Sequence, residues 1–352
     1  MPSSFRLLAS VCVGALLAQQ PQGLTREDGY WTQGVSGTAE TAGARRLRVS
    51  TRGDIRLNGE ERKGIAWRMI KRVRVGQESA ARRLLERIVL ETARSGEWLE
   101  LRVRLPADAN TLASLQLKVP VTLREAELAS ESGTIEANRF RGRLRVETGA
   151  GAVSLGDVRG DVEVRTGGGP VELSRIAGSV RCFSGGGAIT ATHLGFDAEL
   201  VTRGGEIRVR EAGGKVRATT GGGNVRVERA GAVTAGTEGG LVEILDTAGP
   251  IVAETAQGPI RIRRAGQVRA NSGAGRIELD HVSGSVHAAT GLGNIVAAWG
   301  PQGPLADSLL STPAGDITLL LPSNIAVTLE AEAGGGRVGI VSEFPEIEVR
   351  RL

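Results

Sequence analysis

An all-β parallel β-solenoid (β-helix) with two short strands per turn is the fold this sequence predicts, and three observations carry it. A motif, Ser/Thr-x-x-Gly-x-Ile/Val, starts at Ser130, Thr148, Thr166, Ser184, Thr202, Thr220, Thr237, Thr255, Ser272 and Thr290, at spacings of 17 or 18 residues. Units this short cannot bury a face alone, so they must stack. Between motifs, aliphatic residues alternate with polar ones as along a half-buried strand. The 352 residues include 51 glycines and only 3% aromatics, unlike an ordinary globule, yet the alternating aliphatics supply apolar surface that a disordered Gly-rich chain lacks.

Along the chain, residues 1–18 read as a secretory signal: Arg6, an apolar run from Leu7 to Leu17, then Ala18 before polar sequence. The run is too short to span a bilayer, and nothing after residue 24 resembles a transmembrane helix. Removal of Cys12 with the signal leaves Cys182 as the sole cysteine, so no intramolecular disulfide is expected. Residues 19–44 read as a loose polar leader around Tyr30-Trp31, with order expected from about Arg45.

Residues 45–125 read as a small β-rich capping module. RRLRVSTRGDIRLNG has the pattern strand, turn, strand, and its Ser50-x-x-Gly53-x-Ile55 copies the repeat motif early. A strand, AWRMIKRVRVG, follows. ESAARRLLERI then sets Ala80, Ala81, Leu84, Leu85 and Ile88 at helical spacing, with Glu78 and Ser79 suited to the helix start. A hairpin turning at Ser95-Gly96 and a strand ending at Pro120 complete the module.

Residues 126–300 form the array. One inward set runs Val153/Leu155, Val171/Leu173, Ile189/Ala191, Ile207/Val209 and onward. The opposite set runs Leu144/Val146, Val162/Val164, Val180/Cys182, Val216/Ala218 and onward, and is rich in small residues. Two sheets pressed closely together with a filled interior follow. The motif hydroxyls share the inward parity, which suits them to satisfying corner backbone groups, while the glycines are expected to supply positive φ. Outward Arg145, Glu163, Arg181, Glu199 and Arg217 alternate in sign, as parallel in-register stacking requires. Residues 301–352 hold an insertion, a last motif copy at Thr312-x-x-Gly315-x-Ile317, and a C-terminal cap.

The strand-helix-hairpin module, the units SESGTIEA, TGAGAVSLGDVRGDVEVRTGGGPVEL and SGGGAITA, and the ending TPAGDITLLLPSNIAVTLEAEA together resemble the bacterial DUF4097 family of β-strand-repeat, adhesin-like proteins, over about residues 45–350. The resemblance implies a right-handed β-solenoid exported to the cell envelope, and it brings no catalytic residues to carry over.

Several residues invite a chemical reading that their context removes. TGGG at Thr166 and Thr220, and SGGG at Ser184, precede strands and lack a following Gly-Lys-Ser/Thr, unlike a phosphate loop. Calcium-binding repeats need a regular Asp where this chain has Pro170, Ala188, Glu206, Asn224 and Pro259. His193, His281 and His287 lack metal-site spacing and read as exposed, and Asp280 beside His281 should face the opposite way. Outward Glu136, Glu172, Glu243 and Glu278 are separated by Ser154, Thr190, Arg208, Arg226 and Arg261, so they do not pair. Trp299 is expected to pack under the cap, and Phe183 is an outward aromatic that a loop could cover.

No catalytic, cofactor-binding or metal-ligating residue is therefore assigned, and no cofactor is expected. The formal charge of +5 is interleaved along the chain, without the aromatic interleaving or basic helix of a nucleic-acid binder. The reading is a non-enzymatic, exported, adhesin-like or envelope-scaffold protein of periplasm, cell surface or extracellular space. An envelope glycan or another envelope protein is the expected kind of partner. The alternatives are a lyase or hydrolase of acidic polysaccharide and an envelope-stress regulatory component.

Overall fold

The computed structural model describes the backbone of residues 17–18 together with residues 23–107, 110–301, 306–323, 327–332 and 341–343. Along the array, each turn gives one strand to each of two facing parallel sheets. One sheet contains the strands that end in a motif hydroxyl, such as Val162–Thr166, Val180–Ser184 and Ala198–Thr202. The other contains those that follow the motif glycine, such as Val171–Ile176, Ile189–Leu194 and Ile207–Glu211. Neighbours pair in parallel and in register, with Val162 beside Val180 and Val171 beside Ile189.

Alternation decides the interior. Both inward sets are buried, the alanines at 218, 235, 253, 270 and 288 included, and they join one continuous core. Cys182 belongs to it, and burial pushes its thiol up to about 12, so it remains an inert apolar filler.

At the amino-terminal end, stacking order departs from chain order. Arg46–Thr51 and Ile55–Glu60 form a full turn of the solenoid. The chain then leaves through Ile65–Val73, the helix Glu78–Glu86 and the hairpin Val89–Ser95/Trp98–Arg104. Gly96, at φ +59, makes the hairpin turn that the sequence marks. Trp98–Arg104 and Thr111–Pro120 lie parallel beneath the first turn. The chain next steps over that turn to Glu125–Ser130 and Ile135–Asn138, which stack on its other side.

Pairing turns antiparallel at the outer limit of this end. Val89–Ser95 lies against Trp98–Arg104, and Ile65–Val73 lies between Thr111–Pro120 and Tyr30–Ala39. The helix buries Ala81 and Leu85, and its last carbonyls are partly met by Lys71, whose Nζ donates to Leu85 O at 3.0 Å. Its N-cap is Gln77, which makes no side-chain cap bond, so Glu78 and Ser79 fall inside the first turn.

Two expectations are corrected here. The segment read as a loose leader contains the strands Thr25–Glu27 and Tyr30–Ala39, because Tyr30–Ala39 takes the unpaired edge that Ile65–Val73 offers. The early motif copy is filled by Thr51 rather than Ser50: Thr51 pairs with Ser130 while Ile55 pairs with Ile135, so this corner is one residue shorter than the others. Thr51 is buried and its hydroxyl donates to Ala113 O at 2.6 Å.

At the far end, Leu309–Ser311 and Ile317–Leu320 continue the two sheets in parallel. Thr312 repeats the corner bond, donating to Gly293 O at 3.0 Å. Most of the expected signal sequence and much of the expected closing cap lie outside the described residues. Residues 17–18 pair antiparallel with 37–38. No helix among the described residues is long and apolar enough to cross a membrane.

Candidate functional surfaces

With the interior filled, function has to be sought on two corners and two sheet faces. At the first corner the motif hydroxyls from Ser130 to Ser272 each make two hydrogen bonds, and Thr290 makes the donated one. Thr166 donates to Gly151 O of the preceding turn at 3.2 Å and accepts from Gly169 N–H at 3.2 Å. The same pair of bonds recurs at Ser130, Thr148, Ser184, Thr202, Thr220, Thr237, Thr255 and Ser272. A hydroxyl, acting as donor and acceptor together, thereby satisfies backbone groups that would otherwise be buried unpaired.

The expected positive φ is corrected. No motif glycine from Gly133 to Gly293 has one. These residues are glycine because successive corners touch backbone to backbone: a methyl on Gly169 would overlap the Gly151 carbonyl, whereas one on Gly168 would meet nothing within 4 Å. The first and third glycines of such a run, Gly167 and Gly169, are therefore packing devices.

On the sheet that ends in the hydroxyls, the charge ladder is longer than chain order suggests. Its rungs run Glu100, Arg48, Glu127, Arg145, Glu163, Arg181, Glu199, Arg217 in pairing order. Glu127 at 2.7 Å and Glu100 at 2.9 Å clasp Arg48, and their hydrogen bonds and charges hold its guanidinium pKa above the ordinary arginine range. Arg145 reaches Glu163 at 3.1 Å and Glu127 at 3.3 Å. Each such exposed pair contributes about 0 to 1 kcal/mol, so the ladder selects register more than it stabilises.

The second corner carries side chains where glycine would be easier. Arg139, Asp157, Arg175, His193, Arg264 and His281 all have φ between 51° and 57°. Each costs about 1 kcal/mol relative to an unstrained backbone. Glu211, Arg229 and Asp246 complete the column without positive φ, so the corner changes shape over those turns. Arg175 donates to Asp157 at 3.0 Å, Arg229 lies 3.2 Å from Glu211, and Arg264 lies 3.5 Å from Asp246. Beside them the inward column shrinks from Ile176 and Leu194 to Ala212 and Ala230, leaving a shallow groove of about 680 Å³ floored by these residues and by Gly195, Gly213 and Gly231.

Other residues singled out by sequence fall as follows. His193 lies 3.5 Å from Glu211 and both are solvent-accessible. His281 bonds Asp280 at 2.7 Å, against expectation, because its positive φ breaks the strand alternation that would have turned the two apart. His287 is exposed beside Arg269. Register keeps Glu136, Glu172, Glu243 and Glu278 on separate rungs, with Glu243 paired to Arg226 at 2.9 Å and Glu278 to Arg261 at 3.1 Å. Trp299 packs half-buried against the core. Phe183 remains 41% exposed, so no loop covers it, and with Arg165 and Glu147 it edges a second groove, of about 600 Å³, over Gly149 and Gly167. Among the described residues no group of three or more His, Cys, Asp or Glu is placed to hold a metal ion.

No family model matches the chain, and no curated protein matches it by sequence. Among solved structures, it is similar at TM-score 0.28 and 14% identity to a candidate adhesin from Bacteroides fragilis, over 85% of this chain and 100% of that one. A candidate cell-adhesion protein from Clostridium sporogenes matches at TM-score 0.20 and 12% identity, over 83% and 100%. A candidate lipid-binding protein from Parabacteroides distasonis matches at TM-score 0.28 and 12% identity, over 85% and 98%.

Proposed function

We propose that the chain is a non-enzymatic, exported β-solenoid of adhesin-like or envelope-scaffold type, which presents its long charged faces to an anionic envelope glycan or to another envelope protein. The observation that supports this best is the contrast between an interior filled by a continuous aliphatic core and a regular outer face whose charges stay accessible rung after rung, as in the Glu100-to-Arg217 ladder. A catalytic groove needs carboxylates converging on one bond, and the outward carboxylates stand instead on rungs shared with arginines. An extended ligand contacting many rungs weakly gains affinity by repetition rather than from any one pocket.

The test is retention on an array of neutral and anionic glycans, and pull-down from envelope extract, each at low and at raised salt. Salt-sensitive retention without turnover is the expected result. Release of shortened or unsaturated sugar would overturn the reading, as would failure to retain any glycan or envelope protein at either salt concentration.

A further inference from the structure

The column of charges on the second corner is self-complementary, and the geometry points to a second copy of this chain as the partner that docks there, antiparallel, about a two-fold axis at the turn carrying His193 and Phe196. Numbered by turn, the column reads Arg139, Asp157, Arg175, His193, Glu211, Arg229, Asp246, Arg264, His281. A two-fold axis lying in the interface and crossing the solenoid at His193 sets each turn against its mirror position. Arg175 then faces Glu211 of the second copy, Asp157 faces Arg229, and Arg139 faces Asp246. All three contacts are of opposite sign, and the axis repeats each of them, as an isologous interface requires.

A shift of one turn from the His193 register sets Arg175 against Arg229 and Asp157 against Asp246, and a parallel arrangement sets every charge against itself; like charges so placed oppose association. An axis midway between Arg229 and Asp246 also sets opposite charges together, Arg229 with Asp246 and Glu211 with Arg264, but it takes Phe196 five turns from its counterpart.

A second, independent observation picks the same turn. Phe196 is 62% exposed and lies three residues from His193 on that turn. The axis brings it against Phe196 of the other copy. The neighbouring surface is low, because Gly195 and Gly213 leave the groove there without side-chain walls and permit close approach. Contact along an edge is narrow, so a weak dimer is expected rather than an obligate one.

Sedimentation equilibrium on the full chain, from micromolar to high-micromolar concentration at low salt, should show a monomer–dimer equilibrium that salt weakens. Arg229→Asp should weaken it by about tenfold or more, and the charge-swapped Asp157→Arg/Arg229→Asp chain should regain it. Phe196→Glu should weaken it without touching the column, which keeps the test usable if the charge variants fold poorly. Oxidation of His193→Cys should give a covalent dimer across the axis, and Arg264→Cys, four turns away, should not. A chain that stays monomeric throughout overturns the proposal, as do a dimer indifferent to Phe196→Glu and Arg229→Asp, a charge swap that restores nothing, and equal cross-linking at both cysteine positions.

Discussion

The two corners of the solenoid solve the same bend in opposite ways. At the first, backbone meets backbone, and the side chain is reduced to hydrogen in Gly151, Gly169 and Gly187 while a buried hydroxyl ties each turn to the next. At the second, strain is accepted so that arginine, aspartate and histidine can project. The first corner tolerates almost nothing and offers a ligand almost nothing. The second varies along its length, from Phe140 to Ala230 on the inward side and from cation to anion outside, and is where recognition can be written.

Substitutions measure that contrast. The largest effect is expected at Gly169: alanine there must push apart two turns, costing about 3 kcal/mol or more, while Gly168→Ala, one residue away in the same run, should be neutral or stabilise by up to about 1 kcal/mol. Urea denaturation of the two variants decides it, and equal losses would sink the backbone-contact account. Thr166→Val keeps the shape and strands Gly169 N–H and Gly151 O, so a loss of about 2 kcal/mol is expected by the same measurement, and none would mean that the hydroxyl ladder is incidental.

On the second corner the effects shrink. Arg264→Gly relieves a positive φ and gives up an exposed ion pair, so stability should change by less than about 1 kcal/mol in either direction. The smallest effect is pH-dependent. Hydrogen bonds from Arg175 hold the Asp157 carboxyl below its ordinary 3.8, so its stabilising contribution is present above that value and is lost as pH falls through the lower folded-state value. Thermal melts in that acid range should show a slightly steeper decline for the native chain than for Asp157→Asn, and identical slopes would remove the pair from the account.

Most of the repeat was legible before any coordinates. The period, the two strands per turn, the inward sets, the buried hydroxyls and a five-rung stretch of the charge ladder all follow from spacing and parity, because in-register stacking makes each local rule recur. What escaped was non-local. Glu100 and Arg48 belong to the ladder only because the chain steps back over its first turn, and nothing in their spacing reveals that, whereas Glu127 stands 18 residues before Arg145, on the period. Tyr30–Ala39 looked unstructured because its partner, Ile65–Val73, is distant and antiparallel, outside the period. His281 met Asp280 because one positive φ cancelled the alternation on which the expectation rested.

The sequence by itself therefore determined the repeating unit, its interior and its register, since a two-residue side-chain period and a near-constant turn length leave one arrangement that buries the aliphatics. Only the tertiary structure decided why the glycines are glycine, how the amino-terminal turns are ordered, and where the second corner sinks into a groove. Those depend on the distance between backbones one turn apart and on pairings that cross the chain order, and neither quantity is encoded in any single stretch of residues.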